Sequence, residues 1–236
     1  MSIGDDDIGS QDAHWIPLSD LMTGLMVMFL LIAVVYMMRV EAEADRIKEV
    51  AIAYNEVRDE LHRDLEREFQ DDLPQWKAKI VKADLAVQFT EPEVLFASGS
   101  STLRPEFRLI LDDFFPRYLR ILTSDKYRES ITEVRIEGHT SSEWYDGATD
   151  RIAYFRNMAL SQERTRSTLQ YVLSLPQSGA HEAWLRQHLT ANGLSSSRLV
   201  SDTAGREDRL RSRRVEFKVR TDAETRIAKI LEVSAE

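Results

Sequence analysis

The sequence predicts an α/β protein with a single N-terminal transmembrane helix, a helical stalk and a C-terminal α/β sandwich. Of the 21 residues from 18 to 38, 17 are apolar. Residues 39–70 are dense in charge and contain neither Gly nor Pro. From about residue 80, short patterns typical of strands alternate with longer helical ones. The predicted parts are a tail (1–16), a transmembrane helix (17–38), a stalk or linker (39–79), the sandwich domain (80–222) and a second tail (223–236).

The apolar segment is long enough to cross a bilayer. As a helix, residues 18–38 extend about 31 Å, close to the thickness of the hydrocarbon layer. Trp15 and Tyr36 stand near its ends, where aromatic rings favour the membrane interface. A signal peptide is disfavoured because no Lys or Arg precedes the segment and its apolar tail contains no small-residue cleavage pattern. Every basic residue follows the segment, and this charge pattern alone favours a cytoplasmic C-terminus.

Asp20 is the one charged residue in the segment. A carboxylate at the centre of a transmembrane helix costs about 2.5–3.5 kcal/mol, so it needs a polar partner, a water path or a proton. One interpretation is that Asp20 carries protons by cycling between its ionised and protonated forms. The other is that Ser19 or Asp20 caps the helix. The i, i+4 pairs Ser19–Thr23 and Asp20–Gly24 form a small, polar face suited to packing against other transmembrane helices.

The stalk carries a partial heptad pattern. Apolar residues recur every seven positions at Val40, Ile47, Tyr54 and Leu61, and Val50 and Val57 occupy the second heptad position. One interpretation is a parallel coiled coil, and therefore a dimer. The other is a single solvated helix stabilised by i, i+4 charge pairs.

The C-terminal part shows the order β-α-β-α-β, which predicts helices on one face of a sheet. Alternating patterns predict strands at 86–90, 94–96, 131–137, 199–200 and 215–219. Helices are predicted at 105–122, 151–174 and 180–190, with Pro105 opening the first of them and a turn at Ser98–Ser100 before it. The apolar residues that indicate the second helix are Ile152, Phe155, Met158, Ala159, Leu169 and Val172.

Composition excludes several functions. The chain has 31 basic and 40 acidic residues, a net charge of -9, which disfavours a protein built to hold nucleic acid. It has no Cys, which excludes disulfides, thiolate metal sites and a Cys nucleophile. No nucleophile elbow, phosphate-binding loop or zinc-protease motif is present, so we expect neither an enzyme nor a cofactor. The histidines show no metal-ligand spacing; even His181 and His188 stand two helical turns apart, and no metal site is expected.

Several separated blocks carry a family resemblance. They are Leu95-Phe96 followed by Gly99, Leu103 and Pro105, then VRIEGHT (134–140), Asn157, LSQER (160–164) and RRVE (213–216). In this order, over about residues 85–220, they resemble an OmpA-like peptidoglycan-binding domain. With one N-terminal span and its early Asp, the arrangement is similar to the B subunit of a proton-driven stator, as in the flagellar motor. The stretch PLSDLMTGLMVMFLL and the block GHTSSEW resemble more closely the B subunits of the Zorya anti-phage defence system.

The resemblance implies a mechanism and partners. Such B subunits form a dimer inside a pentamer of polytopic A subunits. Asp20 takes up protons on one side of the membrane and releases them on the other, and the A ring rotates around the dimer. One charge crossing 100 mV supplies about 2.3 kcal/mol. In Zorya, the motion or a signal then reaches cytoplasmic effectors that attack invading DNA, so no direct contact with nucleic acid is expected.

The resemblance also implies a location, the bacterial inner membrane, with the N-terminus cytoplasmic and the C-terminal domain periplasmic, where it holds peptidoglycan. This orientation is opposite to the one that the charge pattern favours. Two alternatives stay open. One is a flagellar-type or other energy-transducing stator subunit. The other is a passive membrane-to-wall anchor in which Asp20 is a cap.

The wall-binding residues that the resemblance implies are Thr140, Ser141, Asn157, Arg164 and Arg214. In the family, the Arg of the LSxxR block pairs with a carboxylate of diaminopimelate in the stem peptide, a task that suits a forked guanidinium. The alternative for Arg164 is a solvated helix charge. For the pair Arg213–Arg214, the alternative is protection of an edge strand.

One departure from the family lies at Ser141, where the family usually has an Asp that helps to hold the amino group of the ligand. The segment between Ser141 and Asn157 is also longer than usual. It contains Trp144, Tyr145, Asp146 and Asp150, and we expect it to supply another carboxylate or a different contact.

Overall fold

The computed structural model describes residues 12–90, 92–145 and 147–222, and the side chains of these residues except 12–18, 46–56 and 92–93. Most of the two predicted tails, together with Asp146, lies outside this description. The chain divides into two compact units, with the boundary at Ala53. The helices are α1 (Asp12–Phe69), α2 (Pro92–Leu95), α3 (Pro105–Leu122), α4 (Asp150–Ser174), α5 (Glu182–His188) and α6 (Arg209–Ser212). The strands are β1 (Ala78–Val81), β2 (Ala86–Phe89), β3 (Ile131–His139), β4 (Leu189–Gly193) and β5 (Arg214–Thr221).

The first unit consists of the N-terminal part of α1. Among the described residues, Ser19–Asp45 is the one segment that is long and apolar enough to cross a membrane, with a mean hydropathy of 2.4 over its most apolar window. None of the residues in that window is buried within the chain. The predicted apolar helix is therefore confirmed as a helix, and its apolar side chains are exposed.

The second unit is built on a five-stranded sheet with the order β1-β2-β5-β3-β4. The pairs β1/β2, β2/β5 and β5/β3 are antiparallel, and only β3/β4 is parallel. The strand β5 therefore lies in the middle of the sheet, between β2 and β3. The crossover from β3 to β4 runs through α4 and α5, as a parallel pair requires.

Helices cover one face of this sheet, which confirms the predicted α/β sandwich. Side chains alternate along a strand, so Val134 and Ile136 of β3 and Phe217 of β5 point towards the helices and are buried in the core. Aromatic rings fill its centre: Phe114 of α3 lies 5.2 Å from Phe89 and 5.1 Å from Phe217, centroid to centroid. Such pairs add about 0.5–1.5 kcal/mol to the gain from burial.

The domain begins earlier than the predicted boundary at residue 80. Leu61, Leu65 and Phe69 of α1, and Trp76 after it, are buried in the same core as the sheet. Leu61, which the heptad pattern assigned to a coiled coil, packs inside the domain instead. The side chains of Ile47, Val50 and Tyr54 lie outside the described residues, so the coiled coil stays a prediction for that part.

Most predicted elements of the domain are confirmed, and two are wrong. Residues 94–96 do not form a strand: α2 ends at Leu95, and Phe96 forms an isolated bridge with Leu103. Leu199 and Val200 lie in a loop, where the backbone N–H of Val200 donates to the Ser212 hydroxyl. The strands β1 and β4 were not predicted, because AKIV is short and LTANG contains Asn and Gly, which are depleted in strands.

Candidate functional site

A cavity of about 610 Å³ lies beside the end of β3 and the first half of α4. This volume is within the usual range for small-molecule sites. Its lining is contributed by Phe96, Ser98, Gly99, Arg104, Thr140, Ser141, Glu143, Trp144, Tyr145, Gly147, Asn157, Leu160, Arg164 and Arg213. Four of the five predicted wall-binding residues, all except Arg214, therefore line one cavity.

Two glycines allow α4 to lie close enough to the sheet to place its residues there. Gly138 of β3 and Gly193 of β4 are paired in register. A Cβ on Gly193 would come within 2.3 Å of the backbone N of Gln162, and one on Gly138 within 3.0 Å of the carbonyl oxygen of Ser161. Because backbone atoms cannot give way, a side chain at either position would push α4 off the sheet and displace Arg164.

The face of α4 that packs on the sheet is mostly polar. Its buried residues are Ala153, Asn157, Ser161, Arg164, Thr165, Thr168 and Val172. By contrast, Ile152 and Phe155 are exposed, Phe155 by 61%. The sequence located the helix through its apolar residues, but several of these face away from the core. Close backbone approach selects small side chains here, and their hydroxyls bond to backbone carbonyls of the same helix, as Thr165 does to Ser161.

Arg164 is buried, with 8% of its surface exposed, so it is not a solvated helix charge. Its Nε donates to the carbonyl of Ser100 (2.9 Å) and its Nη2 to that of Ala97 (3.2 Å). Its guanidinium lies over the ring of Phe96, 4.9 Å from the centroid. No carboxylate among the described residues pairs with it. Burial, and secondly the charge of Arg213, lower the pKa of Arg164 to about 10.

Arg214 has the same exposed fraction but a different environment. Its Nε donates to the carboxylate of Glu216, and its Nη1 donates to the carbonyls of Arg198 and Ser212 at 3.1 Å. Its charge is therefore paired with that of Glu216, and it does not line the cavity. The alternative that this residue protects an edge strand is wrong, because β5 is an inner strand of the sheet.

Asn157 organises the loop that closes the cavity. Its amide Nδ2 donates to the backbone carbonyls of Ser141 and Glu143, both at 3.1 Å. Ser141 and Thr140 are buried, and the Thr140 hydroxyl has no hydrogen-bond partner among the described residues. Outside the cavity, Glu207 accepts hydrogen bonds from the backbone N–H and the hydroxyl of Ser142.

Sequence reasoning missed Glu143 and Arg104, and it placed Arg214 in the site where the structure has Arg213. Glu143 provides a carboxylate in the inserted loop, and it pairs with Arg209 at 3.1 Å. Arg104 and Arg213 line the cavity and have no ion pair within the described ranges. Arg213 belongs to the RRVE block, but the sequence could not show which arginine of the pair faces the cavity. Asp150 is exposed at the start of α4 and does not line the cavity.

A second polar cluster lies on the face of the sheet opposite to the one that the helices cover. Ligand atoms of Glu137, His139 and Glu216, all buried, lie within 4.8 Å of one another, a set that could hold a metal ion. Spacing along the chain concealed it, because it arises from the pairing of Glu137 with Glu216 across β3 and β5. Cations already balance it: Arg214 bonds to Glu216, and Arg198 lies 3.5 Å from Glu137.

Within this cluster, burial alone would raise the pKa of Glu137. The neighbouring His139, together with the charges of Lys218 and Arg198, instead holds it below the usual range. The Glu137 carboxylate is therefore ionised at neutral pH, and it neutralises the cations around it. In this cluster the acidic residues Glu137 and Glu216 are therefore paired with the basic residues Arg198 and Arg214.

In the apolar part of α1, Asp20 lies eight residues after the start of the helix at Asp12. It is too far inside to cap the helix, because a cap serves the first turn. The Thr23 hydroxyl donates to the backbone carbonyl of Ser19 at 2.7 Å, which satisfies Thr23 within the helix. Asp20 and Ser19 are exposed, and a Cβ added to Gly24 would meet nothing within 4 Å.

These features define a class: a protein with one apolar helix long enough to cross a membrane and an α/β domain whose cavity presents an unpaired arginine. No protein-family model matches the chain. It is 51% identical to the Zorya protein ZorB of Escherichia coli (strain Crooks) over 219 residues, which is 93% of this chain and 92% of that protein. The chain therefore belongs to the ZorB family.

Similar solved structures include the cell wall anchor of the T6SS from Pseudomonas aeruginosa. It is 28% identical, with a TM-score of 0.45 over 66% of this chain and 96% of that one. A putative MotB-like protein from Desulfovibrio vulgaris is 24% identical, with a TM-score of 0.49 over 73% of this chain and 94% of that one.

Proposed function

We propose that the chain is the B subunit of a proton-driven inner-membrane stator complex that is anchored to peptidoglycan and powers or signals anti-phage defence. Its partners are a second copy of itself, a pentamer of a polytopic ZorA-like A subunit, and peptidoglycan. Cytoplasmic defence effectors are reached indirectly. The N-terminus lies in the cytoplasm and the C-terminal domain in the periplasm, as the resemblance to stator B subunits implies and opposite to the orientation that the charge pattern favours. The membership in the ZorB family supports the assignment to Zorya.

The buried Arg164 at the cavity carries the wall-binding half of this proposal. Two of its guanidinium nitrogens are held by backbone carbonyls, which fix its direction but do not neutralise its charge. A buried charge without a counter-ion is costly, and an anionic ligand offsets that cost. Stem peptides of peptidoglycan carry carboxylates, and a carboxylate matches a guanidinium in shape and charge.

The proton-driven part of the proposal, its motor half, depends on Asp20. It lies inside a helix whose neighbouring side chains are apolar and exposed. With capping excluded by its position, a carboxylate at this place needs partners outside the described chain. An A-subunit ring provides them, and the Ser19–Thr23 side forms part of the face that it meets. Ionisable residues in such helices mark ion pathways.

The test of the motor half is Asp20→Asn in cells that also carry the partner genes. Asn keeps the shape of the side chain but cannot cycle a proton. We expect loss of phage protection and of proton flux, followed with an internal pH indicator, while the amount of assembled complex in the membrane is unchanged. Glu41→Gln, an exposed carboxylate on the same helix, is the matched control and keeps both activities. Full protection with Asp20→Asn would leave the chain as a passive anchor.

The test of the wall half is the retention of the full-length chain, in detergent, by purified sacculi. Removing a charged hydrogen-bonding group from a binding site costs roughly ten- to a hundred-fold in affinity, and we expect a loss of this size for Arg164→Gln. Arg166→Gln is the control, since Arg166 is exposed on the same helix and pairs only with Glu163. Equal retention of both variants, with equal thermal stability, would refute wall binding through Arg164.

A further inference from the structure

The cavity holds more positive charge than one carboxylate can balance. Arg104, Arg164 and Arg213 all line it, and none forms an ion pair within the described ranges. The cavity carboxylate of Glu143 is paired with Arg209, which is not a lining residue. Within the described residues, three arginines, of which Arg104 is exposed, therefore line one cavity of about 610 Å³ without an ion-pair partner.

Arg213 is the arginine best placed to act with Arg164. Its Nε donates to the backbone carbonyl of Arg209 at 3.1 Å, which holds the side chain in place and leaves its terminal nitrogens for a ligand. Both arginines line the same cavity, and the charge of Arg213 lowers the pKa of Arg164. Two neighbouring, oriented cations fit a ligand with two carboxylates better than a ligand with one.

We propose that Arg213 binds a second carboxylate of the stem peptide while Arg164 binds the first, so that the cavity selects stems in which the Glu α-carboxyl and the free diaminopimelate carboxyl are both unmodified. This inference rests on the proposed wall binding. It gives the two arginines of the RRVE block separate tasks: Arg213 contacts the ligand, and Arg214 neutralises Glu216 within the domain. A stem amidated at one of the two carboxylates leaves Arg213 or Arg164 without its anion and binds more weakly.

The test uses the full-length chain in detergent and three synthetic peptides. They are L-Ala–γ-D-Glu–meso-diaminopimelate–D-Ala with its C-terminal carboxyl blocked as the amide, the same blocked peptide amidated also at the Glu α-carboxyl, and the same blocked peptide amidated also at the free diaminopimelate carboxyl. We expect both amidated peptides to bind the unmodified chain roughly ten-fold or more weakly than the free peptide, whereas weakening of one alone would mean that a single arginine reads the stem. In Arg213→Gln, affinity for the free peptide falls, and the amidated peptide that lacks the carboxylate read by Arg213 binds within about three-fold of the free peptide, because that arginine is absent, while the other amidated peptide still binds more weakly.

The matched control is Arg211→Gln, which removes an exposed charge two residues away that pairs with Asp208 and does not line the cavity. It should keep both affinity and selectivity. The inference is overturned if the unmodified chain does not distinguish the peptides, or if Arg213→Gln keeps the full ratio. If no peptide binds the unmodified chain while sacculi or peptides of other chemistry do, wall binding through this stem fails first, and that result is distinct from a loss of selectivity alone.

Discussion

The two ends of α1 have opposite surroundings, although they belong to one helix of 58 residues. In Ser19–Asp45, apolar side chains occupy every side of the helix and are exposed. In the last three turns, Leu61, Leu65 and Phe69 form one stripe at spacings of four, and all three are fully buried. Charged residues cover the opposite side of that stripe.

The comparison shows that apolar content and apolar placement have different consequences. A helix that is apolar on all sides needs an apolar environment around it, and the described chain offers none to Ser19–Asp45. A helix with one apolar stripe needs one packing partner, and the sheet domain provides it. The same helix can therefore serve as a membrane segment at one end and as a core element at the other.

Truncation should have the largest effect, because it removes the buried end of α1 from the domain. A fragment starting at residue 80 lacks Leu61, Leu65, Phe69 and Trp76, four buried residues of the core, and also the start of β1. We expect it to lose cooperative thermal unfolding, whereas a fragment starting at residue 53 unfolds cooperatively. Circular dichroism melts of the two fragments check this. Equal midpoints would mean that the end of α1 is dispensable to the domain.

The same substitution, Leu to Ala, made separately at each end of α1 measures how much each end contributes to the stability of the domain. Leu65→Ala leaves a cavity in the core and should lower the free energy of unfolding by about 2–5 kcal/mol. Leu31→Ala, the same change at an exposed position of the same helix, should alter domain stability by less than about 0.5 kcal/mol. Urea unfolding in detergent, followed by tryptophan fluorescence, measures both. A similar loss for the two variants would contradict the division of α1.

The smallest effect concerns Asp64, on the polar side of the buried end. The Tyr127 hydroxyl donates to Asp64 Oδ2 at 2.6 Å and Lys126 lies 3.0 Å from the same oxygen. The Tyr127 hydrogen bond, and then Lys126, lower the pKa of Asp64 despite partial burial. Because the folded-state pKa is below that of the unfolded chain, this stabilisation is present at neutral pH and is lost as the pH falls below about 4.

Asp64→Asn should therefore cost about 1 kcal/mol at pH 7 and much less near pH 3. Unfolding measured in urea at both pH values checks the direction. Asp71→Asn, an exposed carboxylate just beyond α1, serves as the control. A difference between variant and parent that grows as the pH falls would show that Asp64 is not stabilised in its ionised form.

Local pattern was reliable where a segment packs through one regular face. The helix 105–122 was predicted to the residue, and the central strands β3 and β5 were found through their alternation. Local pattern gave wrong predictions where residues distant in the chain determine the secondary structure or the packing of a segment. The strand β4 pairs with β3 despite its Asn and Gly, and Leu61 fits a heptad as well as it fits the core. In α4, the apolar residues marked the helix but not its buried face, since close approach at Gly138 selects small polar residues.

The sequence by itself determined the apolar helix, the α/β class and the order of the motif blocks, because composition and periodicity depend on neighbouring residues along the chain. Only the tertiary structure decided that Arg164 and Arg213 line the cavity while Arg214 is neutralised by Glu216. It also decided that Glu137, His139 and Glu216 meet on one face of the sheet. Adjacent arginines look alike in a sequence, and their separate environments arise from strand register and from the packing of α4, which are set by long-range contacts.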